Sequence, residues 1–162
     1  MTDRKPVHTG GCQCGAVRYA LYAEPLNPHI CHCRMCQKAV GNYFAVYASV
    51  AFSEFAWTRG TPGFWNSSEQ AERGFCRDCG TPLSFRYVVR DRITVALGTL
   101  DDPTRVPPIR SFGGEARMPF FADLATLPSS TTEGDFAKTG SALPRSRQHP
   151  DHDTDRWPPE HP

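Results

Sequence analysis

The sequence predicts an all-β domain with one core and little helix. Of 162 residues, 39% belong to the apolar set AVILMFWYC and 13 more are glycine, a share at which globular chains bury a core. At about 150 residues per domain, the length allows one domain and an appendage. Proline is the outlier: 15 residues, against a usual share of about 5%, work against long helices and favour strands, turns and extended tails. The third observation is a series of short segments with strand-type alternation, separated by turn residues.

In chain order, Gly15 to Tyr22 sets Val17, Tyr19 and Leu21 against Arg18, Ala20 and Tyr22, the period of a half-buried strand. Glu24 to Pro28, with two prolines, is expected to turn the chain. Asn42 to Val50 is rich in strand formers, and Phe55 to Thr58 followed by Gly60 to Gly63 reads as a strand and turn. Phe64 to Ser67 and Arg73 to Phe75 continue the pattern. Thr81 to Val89 and Arg92 to Leu97 flank Arg90-Asp91, which suggests a hairpin with a two-residue connection, though without the Gly a primed turn favours. Only Arg34 to Val40 looks helical, for a turn or two, closed by Gly41.

All seven cysteines fall in three tight groups: Cys12 and Cys14; Cys31, Cys33 and Cys36; Cys76 and Cys79. An odd count fits a disulfide framework poorly, and cysteines one residue apart rarely reach relaxed bridge geometry. Metal binding fits better. In an extended segment residues i and i+2 point to the same side, and C-x-x-C turns make two sulfurs converge, so both spacings present thiolates to one tetrahedral zinc. Seven ligands divide into a closed four-thiolate site and a three-thiolate site whose fourth position is open to another donor, the pattern of structural plus catalytic zinc. Cys31, Cys33 and Cys36 lie within six residues, which leaves Cys12, Cys14, Cys76 and Cys79 for the closed site. Spacing also permits mixed sets, such as Cys12, Cys14, Cys31 and Cys33, and permits two purely structural sites. His32 and His29 are the local candidates for a further ligand, although His32, between two cysteines, should point to the opposite side of an extended chain.

From Ser129 the composition changes. The final 34 residues hold only Phe136, Ala137, Ala142, Leu143 and Trp157 from the apolar set, so residues 8–128 are expected to form the domain and 129–162 a mobile or wrapped-over tail. His149, His152 and His161 are expected to be solvated there, since Pro150 opposes a helical His-x-x-His site. A net charge of +1 disfavours nucleic acid as a partner. The longest apolar stretch, Ala45 to Phe52, is far short of the roughly 20 residues of a membrane helix. The N-terminal residues show no secretory segment, so a cytoplasmic location with reduced thiols is the expectation.

The segments GGCQCGAVRY from Gly10 to Tyr19, CHCRMCQ from Cys31 to Gln37 and FCRDCGTPL from Phe75 to Leu83 together resemble the glutathione-dependent formaldehyde-activating enzyme family, also called the GFA or centromere protein V domain family. The resemblance covers about residues 8–128 and rests on three cysteine motifs, their order and their flanking glycines. It implies a zinc-bound β-tent fold, a structural zinc at Cys12, Cys14, Cys76 and Cys79, and a catalytic zinc at Cys31, Cys33 and Cys36, which are two zinc ions per chain. Downstream, relatives often carry His before an aliphatic run and Trp after Pro, whereas this chain reads SFGGEARMPF from Ser111 to Phe120.

The implied reaction is condensation of formaldehyde or another small aldehyde with the thiol of glutathione to an S-hydroxymethyl adduct, formally the reverse of carbon–sulfur lysis. Zinc serves such a reaction by polarising the aldehyde oxygen or by holding the sulfur as thiolate. Three thiolates leave the zinc centre at −1, a poor generator of hydroxide, which favours thiol or carbonyl binding over hydrolysis. Glutathione carries two carboxylates, and Arg34, beside the three-cysteine group, is the candidate contact; Lys38 and Arg73 are weaker ones. Tyr43, Phe44 and Trp65 are expected in the core rather than at a site. A non-catalytic zinc scaffold and a thiol redox sensor are the rival readings.

Overall fold

A computed structural model describes residues 4–156. It is built mostly of strands: β1 His8–Gly11, β2 Arg18–Leu21, β3 Leu26–Cys31, β4 Ala45–Ala51, β5 Phe55–Arg59, β6 Gly63–Ser68, β7 Ala71–Phe75, β8 Pro82–Tyr87, β9 Arg92–Ala96 and β10 Arg110–Phe112. Two short α-helices accompany them, α1 Arg34–Val40 between β3 and β4 and α2 Thr132–Thr139 after β10. The strands form a three-stranded sheet, β1-β2-β5, and a seven-stranded sheet ordered β10-β3-β4-β9-β8-β7-β6. Every pairing is antiparallel except β10 with β3.

Both sheets face one core. Tyr19 and Leu21 of β2, Val50 of β4, Leu83 of β8 and Val95 of β9 are essentially inaccessible and belong to one apolar cluster. Tyr19 stacks on Phe55 and meets the edge of Trp57, while its hydroxyl, 2.8 Å from Thr99 Oγ1, is satisfied. This is the arrangement that lets a tyrosine occupy a core position without an unpaired polar group.

Four backbone segments depart from the sequence reading, each with an identifiable cause. β2 is buried along its whole length, not on one face, because Arg18 is neutralised where it enters the interior. Its guanidinium lies 2.7 Å from Asp101 and 2.9 Å from Asp153. The expected turn at Glu24 to Pro28 instead leads into β3, which absorbs Asn27 at φ +51° through a register shift between Leu26 and His29. The β8–β9 connection is longer than two residues, Val88 to Asp91, and closes with the Arg90 amide donating to the Tyr87 carbonyl. Helix α2 forms in the polar tail because Thr131 caps it through the Gly134 amide, Glu133 and Asp135 occupy its first turn, and Gly140 ends it in the left-handed region.

The tail also reaches the domain. The His149 amide donates to the Gln13 carbonyl, its ring nitrogen lies 3.0 Å from Thr154 Oγ1, and only 4% of the residue is exposed. His149 is therefore buried, contrary to the solvated state expected of it, whereas His152 is exposed. Trp157 and His161 lie outside the described residues. Burial alone raises the Asp101 carboxyl, but hydrogen bonds from Arg18 and Thr9 outweigh it and hold the group below its usual range. A depressed carboxylate adds stability above its unfolded value of about 3.9 that is lost as pH falls through the folded one. Asp101→Asn is thus expected to cost about 3 kcal/mol at pH 7, and less as pH falls below about 3.9 toward pH 3. Urea denaturation of both proteins at the two pH values checks this, and an equal cost at both would contradict it.

Candidate metal centres

The Sγ atoms of Cys12, Cys14, Cys76 and Cys79 lie within 4.8 Å of one another. Two of the separations are 3.6 Å, Cys12 to Cys14, and 3.8 Å, Cys14 to Cys76. Four sulfurs at about 2.3 Å from one tetrahedral ion would sit about 3.8 Å apart, so the cluster fits zinc. A disulfide needs about 2.05 Å, and all seven cysteines are free.

Two tight turns bring these sulfurs together. After β1 the Gly15 amide donates to the Cys12 carbonyl and the Val17 amide to Cys12 Sγ at 3.3 Å. After β7 the Gly80 amide donates to the Cys76 carbonyl, with Gly80 at φ +76°, a conformation suited to glycine. Burial raises the Cys79 thiol, but Thr81, whose hydroxyl lies 3.1 Å from the sulfur, draws it down to about 6. Cys12 and Cys76 are buried in the core, so the cluster joins the β1–β2 turn of one sheet to the β7–β8 turn of the other.

The second group, Cys31, Cys33 and Cys36, also lies within 4.8 Å. Cys31 ends β3, Cys33 caps α1 through the Cys36 amide, and Cys36 occupies the first turn. Cys31 and Cys33 sulfurs are 3.5 Å apart. Hydrogen bonding with Cys31 lowers the Cys36 thiol to about 5, against burial and with help from Arg73, while the same contact raises Cys31. Thiolate character is thus favoured at Cys36, within a group of three sulfurs, the donor set that suits zinc.

The supports of this group were mostly invisible in the sequence. Strand β10 pairs with β3, and the His32 amide donates to Phe112. Gly113 follows at φ +68°, where a Cβ would stand 2.7 Å from the Cys33 amide nitrogen. The buried Gln37 amide group donates to the carbonyls of His32, at 2.7 Å, and Ala116, at 2.9 Å, tying α1 to the segment after β10. Arg73 of β7, beside the other cysteine motif in sequence, instead reaches Cys36 Sγ at 3.6 Å and Tyr47 Oη at 3.3 Å.

Neither nearby histidine joins a cysteine cluster. His32 is fully buried between Phe44 and Phe121, with Nε2 3.3 Å from Ser111 Oγ and Nδ1 without a hydrogen-bond partner among the described residues. His29 Nδ1 lies 2.8 Å from the Asn27 carbonyl. Arg34 is exposed and donates to Gln37 Oε1 at 3.1 Å, so it stands at the surface of α1 beside the three cysteines. Lys38 is exposed on the same helix. Trp65 and Tyr43 are exposed rather than core, because β6 is an edge strand and Tyr43 precedes β4; Tyr43 packs on Phe120.

Among the described residues no helix is long and apolar enough to cross a membrane. The profile of the glutathione-dependent formaldehyde-activating enzyme family matches residues 7–113. That is well over half of the 162 residues, and the chain belongs to this family. An uncharacterized lyase of Schizosaccharomyces pombe is 32% identical over an alignment of 89 residues that covers 51% of this chain and 59% of the yeast protein. The match therefore spans little more than half the length of that curated relative. A crystal structure of a Rhodobacter sphaeroides protein superposes with a TM-score of 0.52 at 23% identity, covering 64% of this chain and 98% of the other. That likeness is one of fold.

Proposed function

We propose that the chain is a zinc-dependent enzyme of the carbon–sulfur lyase type, condensing a small aldehyde such as formaldehyde with a thiol such as glutathione. The observation that carries the reading is the division of the cysteines into a group of four and a group of three. Family membership and the lyase name of the yeast relative support it. Cys12, Cys14, Cys76 and Cys79 would hold a structural zinc, and Cys31, Cys33 and Cys36 a catalytic one. A zinc held by three thiolates supplies a Lewis acid and a seat for a sulfur donor.

The chain's own residues do the rest. Cys33 is partly exposed while Cys31 and Cys36 are buried, so reactants approach from the Cys33 side. Gln37 holds α1 against the segment after β10, fixing the spacing of Cys33 and Cys36. Arg34, exposed at the start of α1, is placed to receive a carboxylate of the thiol. In the reaction a sulfur–carbon bond forms, the carbonyl π bond breaks, and the thiol proton ends on the new hydroxyl; nothing is oxidised or reduced.

The adduct also forms without a catalyst, so the test is one of rate. Exchange of carbon-13 formaldehyde with its glutathione adduct, followed by NMR magnetisation transfer, is expected to exceed the buffer rate in proportion to enzyme concentration. Exchange no faster than in buffer would overturn the reading.

A further inference from the structure

Arg73 presents an electrostatic problem that the folded chain resolves in an unusual way. Only 8% of the residue is exposed, on a strand paired on both sides by β6 and β8. Its guanidinium lies 4.9 Å from the centre of the Phe85 ring, and its polar contacts are Tyr47 Oη and Cys36 Sγ. Among the described residues no carboxylate pairs with it. The other buried arginine, Arg18, pairs with two. A guanidinium taken out of water without an anion is strongly disfavoured. Among the described residues, the one group in contact with Arg73 that can carry negative charge at neutral pH is the sulfur of Cys36, a member of the three-cysteine cluster.

Building on the zinc-thiolate reading above, we propose that Arg73 is the built-in counter-ion of the three-cysteine centre and lets it accept an anionic thiolate as a fourth sulfur donor. Three thiolates around a divalent ion sum to −1, and Arg73 brings the buried unit to zero. A substrate sulfur entering as thiolate then takes the unit from 0 to −1. Without Arg73 it would go from −1 to −2 at a largely buried site, where charge is poorly screened. The Tyr47 hydroxyl and the Phe85 ring hold the guanidinium in place, so this charge is fixed before any thiol arrives. Arg73 is a positioning residue acting through Cys36, and it explains why a surface such as Arg34 need not supply all the positive charge.

The inference is tested on the full chain with cobalt(II) in place of zinc, because cobalt–thiolate absorption reports each sulfur bound. The probe is 2-mercaptoethanol, which has no carboxylate for Arg34 to hold. It binds as thiolate, giving its proton to the buffer. Arg73→Met keeps the contact with Phe85 but removes the charge, and is expected to weaken thiol binding about 10–100-fold, the range seen when a partner of a metal ligand is lost. Arg73→Lys is expected to recover most of the affinity. Absorption from cobalt at Cys12, Cys14, Cys76 and Cys79 reports that each variant is folded, and Arg73→Gln, which keeps a donor without charge, replaces Arg73→Met if that variant does not fold. Wild-type affinity in the uncharged variant would overturn the counter-ion role while leaving the metal reading intact. A wild-type protein that takes up cobalt only at the four-cysteine cluster would overturn both.

Discussion

Cys36→Ala is expected to give a folded chain whose thiol–aldehyde exchange falls more than about 100-fold, beyond the range for losing a mere partner of a metal ligand. The fold should survive, with a lower melting point because Arg73 loses its anion, since Cys36 lies outside the main core. It packs in a small satellite with Cys31, Ala45 and Tyr47, whereas the sheets are joined through Tyr19, Leu21, Val50, Leu83 and Val95. The activity should not survive, since two sulfurs hold zinc poorly and Arg73 loses its anion. Exchange rates and a thermal melt recorded on the same preparation check both halves. A variant that melts like wild type and exchanges as fast would place the chemistry elsewhere.

The opposite pattern is expected of Cys76→Ala, which should not reach the native fold at all. The residue is 1% exposed within the core, and its cluster ties the turn after β1 to the turn after β7. Structural zinc sites contribute about 10–16 kcal/mol of apparent binding free energy, comparable with the about 5–15 kcal/mol that stabilises a whole domain. Loss of that tie therefore removes most of the margin. Far-ultraviolet circular dichroism of the variant, and of wild type stripped with a strong chelator, should show the same loss of strand signal. A variant with an unchanged melting midpoint would show that the core holds without this metal.

The contrast between these variants reflects which features a sequence displays. Strands β4 and β5 were readable from their richness in strand-forming residues, and the cysteine groups were readable because metal geometry constrains spacing along the chain. The left-handed Gly41 ends α1 as its position suggested. What depends on contacts between distant segments was not readable. Arg18 looked like the polar face of an alternating strand, and only Asp101 and Asp153 make its burial tolerable. Arg73 sits three residues before Cys76, yet the pleat of β7 aims it at Cys36 on the far side of the sheet order. Gln37 and Gly113 fix the three-cysteine loop through carbonyls and an amide that no side-chain pattern announces. Strand β10, three residues long, was too short to register as a period.

The most direct test of the account is the zinc content per chain of anaerobically purified protein, by metal mass spectrometry, for wild type and Cys36→Ala. The cysteine groups of four and three predict two zinc ions in wild type and one in a still-folded variant. One zinc in both proteins would contradict the account, because the three-cysteine group would then hold no metal.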